Sequence, residues 1–226
     1  MLRAIVFDFD GVIANSEPLH FRAFRDVLAE DGLLLTERDY FDRYLGFDDV
    51  GAFEAMLRDR GETAAGMRVV ELVARKAVRL EILERDTSVL FPGAADAVRR
   101  AAAAVPIAIA SGARGDEIRR ALAREELAGC FTGIVAAEDT PLSKPAPDPY
   151  LRALTLLRAA GDGELAASSC VAIEDSRWGL QSARAAGMRT VAVTNTYAQS
   201  ALAGAADLII PSLDAMDLEI LSRLCA

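Results

Sequence analysis

Short apolar runs recur along this chain with room for one helix between most of them, and that alternation admits few folds. The runs are Ala4-Ile5-Val6-Phe7, Ile107-Ala108-Ile109-Ala110, Gly133-Ile134-Val135-Ala136, Val171-Ala172-Ile173, Thr190-Val191-Ala192-Val193 and Leu208-Ile209-Ile210. They do not alternate apolar with polar residues, so each predicts a strand buried on both faces. Helical patterns over 94–104, 116–126, 148–160, 177–186 and 213–224 lie between or after them. The expected fold is α/β, a doubly wound, Rossmann-like parallel sheet with helices on both faces. From Ser16 to Thr87 there is no strand pattern, only helical candidates with Gly32, Gly46, Gly51 and Gly61 among the breaks. This predicts a helical domain, 16–87, inserted into a core made of 1–15 and 88–226. In its last helix Val69, Val70, Leu72, Val73, Ala77, Leu80 and Leu83 form an apolar stripe, which places Arg75, Lys76, Arg79 and Glu81 mainly on the other faces.

In an open parallel sheet, ligands bind beyond the carboxyl ends of the strands. Asp8 and Asp10 in Asp8-Phe9-Asp10-Gly11-Val12, Ser111 before Gly112, Lys144 in Ser143-Lys144-Pro145, and Glu174-Asp175 are placed there by the expected topology. Lys144 is conspicuous because only two of the 25 basic residues are lysine, so a compact point charge is wanted at that position. Taken singly, each residue reads equally well as a turn, a helix cap or a solvated charge. Taken together, four carboxylates at one sheet edge repel, and each ion left unpaired and desolvated costs several kcal/mol. A divalent cation resolves the conflict, and oxygen ligands with phosphate chemistry select Mg²⁺. The set describes a site for phosphoryl transfer.

Composition narrows the partners. A net charge of −9 repels a nucleic-acid backbone and an anionic membrane surface, which leaves small-molecule chemistry. The longest apolar stretch, 101–110, is too short for a membrane span and contains Pro106. Cys130, Cys170 and Cys225 have no C-x-x-C spacing, Cys170 is expected to pack as a small apolar residue, and the N-terminus shows no signal-peptide pattern. The expected setting is a cytoplasmic globular protein; oligomeric state is not legible.

The ordered motifs Asp8-Phe9-Asp10-Gly11-Val12, Ser111, Lys144-Pro145 and Glu174-Asp175-Ser176 with Gly179 resemble the haloacid dehalogenase superfamily, in the subgroup with a helical cap inserted after the first motif. Ser16-Glu17-Pro18-Leu19-His20 and Phe91-Pro92-Gly93 look like the branch of beta-phosphoglucomutase and sugar-phosphate phosphatases. The resemblance implies Asp8 as nucleophile, forming an aspartyl-phosphate, and Asp10 as acid and base. It implies Ser111, Gly112 and Lys144 as the phosphate cradle. Mg²⁺ would be held by the Asp8 carboxylate, the Asp10 main-chain carbonyl and Asp175, with Glu174 behind them or as an alternate ligand. In the cap, hinged near 14–16 and 87–90, His20 is given a supporting role, and Tyr40, Tyr44, Phe47, Asp48 and Asp49 suggest a polar, partly aromatic surface that meets a small phosphorylated metabolite.

The leading expectation is a Mg²⁺-dependent phosphatase acting on a sugar phosphate. A phosphomutase of the beta-phosphoglucomutase type is the first alternative, weakened because Leu45 and Asp49 stand where that enzyme carries basic residues. Dehalogenation is disfavoured by Asp10, and phosphonate cleavage by the polar-face placement of Lys76. A non-catalytic metabolite-binding module would have lost Asp8 or Asp10, and neither is lost. Trp178 is expected to pack rather than react, while Thr194-Asn195-Thr196 reads equally as the site's rim or as a simple turn.

Overall fold

The computed structural model describes residues 1–45, 47, 49–62, 66–85, 88–161 and 163–226. The strands are β1 (Ala4–Phe7), β2 (Ile107–Ala110), β3 (Gly133–Val135), β4 (Cys170–Glu174), β5 (Arg189–Val193) and β6 (Leu208–Ile210). All pair in parallel in the order β3-β2-β1-β4-β5-β6. Every residue of β1, β2 and β4 is buried, as continuous apolar runs require in a sheet covered on both sides.

The helices are α1 (Glu17–Glu30), α2 (Glu37–Asp39), α3 (Asp49–Asp59), α4 (Gly66–Arg85), α5 (Ala94–Ala104), α6 (Gly115–Arg124), α7 (Asp148–Ala160), α8 (Arg177–Ala185), α9 (Gln199–Leu202) and α10 (Leu218–Leu224). On one face of the sheet Ala4, Val6, Ala108, Ala110 and Ala172 pack against Tyr150, Ala153, Leu154 and Leu157 of α7 and Ala183 of α8. Small residues on the strands let these helices approach closely. The alternate strand residues Ile5, Phe7, Ile107, Ile109, Val171 and Ile173 are buried on the opposite face. Cys170 is buried and apolar in its packing, as expected.

Two helical expectations need correction. The pattern over 213–224 is not one helix: a 3₁₀ turn, Leu213–Ala215, precedes α10, because the Asp217 side chain accepts from the N–H groups of Glu219 at 2.8 Å and Ile220 at 3.2 Å. That is an N-cap, and it starts a new helix. The four-residue α9 has too few positions to show a periodicity and was not expected. No helix among the described residues is long and apolar enough to cross a membrane.

The chain divides into two compact units, Met1–Asn15 with Val89–Ala226, and Ser16–Ser88. The second has a core of its own, in which Phe21, Phe24, Val27, Phe53, Met56, Leu57, Val69 and Leu72 pack together. The Phe24 and Phe53 rings meet edge to face at 4.8 Å.

Candidate active site

The strand order reverses between β1 and β4, and their register sets Phe7 opposite Ile173. Asp8 and Glu174 therefore leave the sheet side by side at its carboxyl edge, the place where doubly wound folds bind ligands. The Asp8 N–H still donates to the Ile173 carbonyl at 2.9 Å, so the nucleophile candidate is fixed by the sheet itself. Its Oδ1 accepts from the Phe9 N–H at 2.7 Å and from Lys144 Nζ at 2.8 Å.

Lys144 reaches the same point from the segment before α7. Its Nζ also donates to Glu174 Oε1 at 2.6 Å, and Tyr150 on α7 donates its hydroxyl to that same oxygen at 2.7 Å. Glu174 Oε2 accepts from the N–H groups of Asp175 at 3.2 Å and Ser176 at 3.4 Å and from the Ser176 hydroxyl at 3.2 Å. Glu174 is thus fully buried with both oxygens engaged, the brace that aims Lys144 at Asp8. Helix α8 closes behind it. A Cβ on Gly179 would lie 1.9 Å from the Glu174 carboxylate, so only glycine permits the approach.

Gly11 plays a similar part for Asp175. Its φ of +75° turns the chain after Asp10, and a Cβ there would meet Asp175 Oδ2 at 2.0 Å. Asn195 Nδ2 donates to the Gly11 carbonyl at 2.9 Å, and the Thr196 side chain hydrogen-bonds Asp175. The 194–196 segment is the site's rim rather than a simple turn. Ser111 leaves the carboxyl end of β2, the strand next to β1, is buried, and accepts from the Ala113 N–H at 3.0 Å, while Gly112 is exposed next to it. Asp10 lies half-buried in the loop after Asp8.

The electrostatics are strained. Carboxylate oxygens of Asp8, Glu174 and Asp175 lie within 4.8 Å of one another, and Asp10 is not part of that cluster. Burial and the neighbouring Glu174 push Asp8 well above the ordinary carboxylate range, against the pull of Lys144. Asp175 is pushed up to about 6 by burial and by Glu174, with Thr196 and Lys144 pulling it back. Burial alone would lower Lys144, but Asp8 and Glu174 hold it protonated, above its ordinary value. One ammonium among three buried carboxylates leaves negative charge uncompensated, and an all-oxygen donor set of this charge fits a hard divalent cation.

The family model for haloacid dehalogenase-like hydrolases matches residues 2–187. The chain belongs to the haloacid dehalogenase-like hydrolases. It is 36% identical over 224 residues to Protein CbbY of Rhodobacter capsulatus, covering 95% of each chain. It is 32% identical to hexitol phosphatase B of Escherichia coli over 199 residues, 87% of this chain and 86% of that one. Among solved structures, CbbY of Rhodobacter sphaeroides in complex with xylulose-(1,5)bisphosphate superposes with a TM-score of 0.78 at 26% identity, over 95% of this chain and 96% of that one.

In this haloacid dehalogenase-like hydrolase the second unit departs from the surface expected for it. Tyr44 and Tyr40 are buried in that unit's core, their hydroxyls donating to Asp59 at 2.8 Å and Glu17 at 2.7 Å. Phe47 is 54% exposed, and Asp48 lies outside the described residues. Lys76 is not on a polar face: it is 1% exposed, because it falls four residues from both Leu72 and Leu80 and so inside the stripe they define. Trp178, expected to pack, is 64% exposed. Tyr150, Asn195 and Thr196 complete the core site; the spacing of Tyr150 from Lys144 carries no motif, and only its fully buried hydroxyl identifies it.

Proposed function

We propose that the protein is a Mg²⁺-dependent phosphatase that hydrolyses a phosphate monoester of a small metabolite, a sugar phosphate, through an aspartyl-phosphate on Asp8. The supporting observation is the Asp8 carboxylate at the end of β1, held 2.8 Å from the Lys144 ammonium beside Glu174 and Asp175. An Asp8 oxygen attacks phosphorus as the bond to the sugar oxygen breaks, and Asp10 gives that oxygen a proton. Water then attacks the phosphorus of the aspartyl-phosphate and returns a proton to Asp10, releasing inorganic phosphate and restoring Asp8. Ser111, the backbone at Gly112, and Lys144 hold the non-bridging oxygens. Asp8, Asp175 and the Asp10 carbonyl would hold the cation, with Glu174 bracing Lys144. Bound there, Mg²⁺ would neutralise charge on the phosphoryl group. The names of the relatives support a sugar-phosphate substrate. Residues 1–15 and 88–226 are read as the catalytic core and 16–87 as the cap that sets specificity, with His20, Phe47 and Asp48 as its candidates and Tyr44, buried in that unit's core, supporting it from within.

The test is phosphate release from a panel of phosphorylated sugars and polyols. Turnover of at least one ester with Mg²⁺, abolished by EDTA and restored by Mg²⁺, is the expected result; no turnover of any ester overturns the reading.

The metal assignment has a second consequence that needs no substrate. The folded-state value of about 6 for Asp175 is raised above the unfolded value. The native state therefore binds the proton more tightly, and this group's contribution to stability falls as pH rises from about 4 to about 6, by on the order of 2–3 kcal/mol. A bound divalent cation needs the ionised carboxylate and offsets the loss above that window. Mg²⁺ is expected to raise the melting temperature at about pH 8 by several degrees and at about pH 5 hardly at all, as measured by calorimetry. Equal shifts at both pH values would remove Asp175 from the metal site.

A further inference from the structure

The outer face of α8 carries a groove that the proposed chemistry leaves unused. Two adjoining cavities there share Arg177 and Gln181 as a common wall. One, of about 560 Å³, runs between Arg184 and the turn Ala203-Gly204-Ala205; the other, of about 490 Å³, runs between Trp178 and Tyr197. Each has the size of a small-molecule site. Gly179 faces Glu174, and Arg177 and Gln181 stand two residues before and after it, each about 200° around the helix. The groove is therefore on the side of α8 turned away from the phosphoryl-transfer site.

The segment opposite α8 is built without bulk. From Ala201 to Ala206 the one large side chain is Leu202, which is fully buried with Leu180 and Ala192 and so anchors the segment. The walls are cationic and aromatic. No carboxylate lines either cavity among the described residues, although the chain carries a net charge of −9. Arg177 Nε donates to the Ala201 carbonyl at 2.5 Å, and its guanidinium meets no carboxylate among the described residues. Arg184 has only Asp207, at 3.9 Å, whose Oδ2 already accepts from the Thr190 N–H at 2.7 Å and hydroxyl at 3.1 Å. By contrast Arg25, Arg75 and Arg79 hold carboxylates at 2.7, 2.6 and 2.5 Å.

Trp178 and Tyr197 are 64% and 44% exposed. Exposed aromatics scattered singly need no explanation. Two on the wall of one cavity, beside two guanidinium groups without close counter-ions, match a ligand that is flat and apolar at one end and anionic at the other. Trp178 and Arg184 are six residues apart on α8, about 9 Å along its axis, which leaves room for a sugar between ring and anion. We propose that this groove binds a nucleoside phosphate, with its base stacked on Trp178 and Tyr197, its ribose beside Gln181 and its phosphates on Arg177 and Arg184. A sugar phosphate would use the arginines alone, and a nucleoside the rings alone. The site lies apart from the catalytic edge, so the inference stands or falls separately from the phosphatase reading.

Trp178 is the chain's one tryptophan, so its fluorescence reports on the groove directly. The experiment titrates the whole protein with ADP, with ribose 5-phosphate and with adenosine, in EDTA to keep the proposed phosphatase silent. ADP is expected to quench saturably with a Kd below about 1 mM. Ribose 5-phosphate and adenosine, each carrying half of the recognised chemistry, are expected to bind at least about tenfold more weakly. Arg184→Ala, at an exposed helix position where alanine is favourable, is expected to weaken ADP at least about tenfold while phosphate release with Mg²⁺ stays within about twofold of the wild type. Trp178→Ala, followed by calorimetry because the fluorophore is gone, is expected to weaken ADP by a similar factor. No saturable quenching by ADP, either fragment binding as tightly as ADP, or an ADP affinity unchanged in both variants overturns the proposal.

Discussion

Asp8→Asn is expected to fold normally and to lose about 10⁴- to 10⁶-fold in phosphate release. The two halves of that expectation come from different atoms. Asp8 Oδ1 accepts from the Phe9 N–H and from Lys144, and an amide oxygen can keep both bonds, so the loop after β1 retains its anchors. The substitution also removes one of three mutually repelling buried carboxylates, which relieves the metal-free site rather than straining it. An amide has no anionic oxygen with which to attack phosphorus, however, and no other carboxylate at the edge can replace it. Glu174 has both oxygens engaged, and Asp10 is not in the cluster. Circular dichroism and a melting curve check the fold, and phosphate release checks the chemistry. A folded Asp8→Asn protein within tenfold of the wild type would remove the aspartyl-phosphate from the mechanism.

The core was readable from sequence because its signals are local. Ala4–Phe7 and Ile107–Ala110 are continuous apolar runs that stop at Asp8 and Ser111, and the strand-order rule then brings separated stops to one edge. What was not readable depends on three-dimensional packing. The sequence places Glu174 behind the metal ligands or as an alternate ligand, but not the bonds its oxygens accept from Lys144, Tyr150 and Ser176, and Tyr150 has no motif to announce it. Lys76 departs from its expected polar face for a different reason. Its charge suggests solvent, while its spacing from Val69, Leu72, Leu80 and Leu83 puts it in the stripe, and the spacing prevails because Asp49 and His20 satisfy the ammonium inside. That pairing also changes the meaning of Asp49, which reads from sequence as free negative charge and is instead half of a neutral pair.

Lys144→Arg is expected to cost at least tenfold, and on the order of a hundredfold, in kcat/KM, although charge is conserved. The ammonium fits between Asp8 Oδ1 at 2.8 Å and Glu174 Oε1 at 2.6 Å and lies 5.3 Å from the Tyr150 ring centroid, within a wall whose Glu174 and Tyr150 are fully buried. A planar guanidinium is wider than this gap. It would push Asp8 out of line or intrude where the phosphate oxygens are proposed to sit, and misplacing a reacting group by about 1 Å costs on the order of a hundredfold. Lys144→Met separates charge from shape. Lys144 is what pulls Asp8 down against burial and Glu174, so its removal raises the Asp8 carboxyl further and protonates more of the nucleophile at neutral pH. Residual activity of Lys144→Met is therefore expected to climb with pH through a range where the wild type is already flat, at a level at least a thousandfold lower once the cation's stabilisation of the phosphoryl group is also lost. Steady-state rates across pH for the three proteins check both statements. Wild-type kinetics in Lys144→Arg would return Lys144 to the role of a solvated loop charge, and a parallel pH profile in Lys144→Met would show that it does not control the ionisation of Asp8.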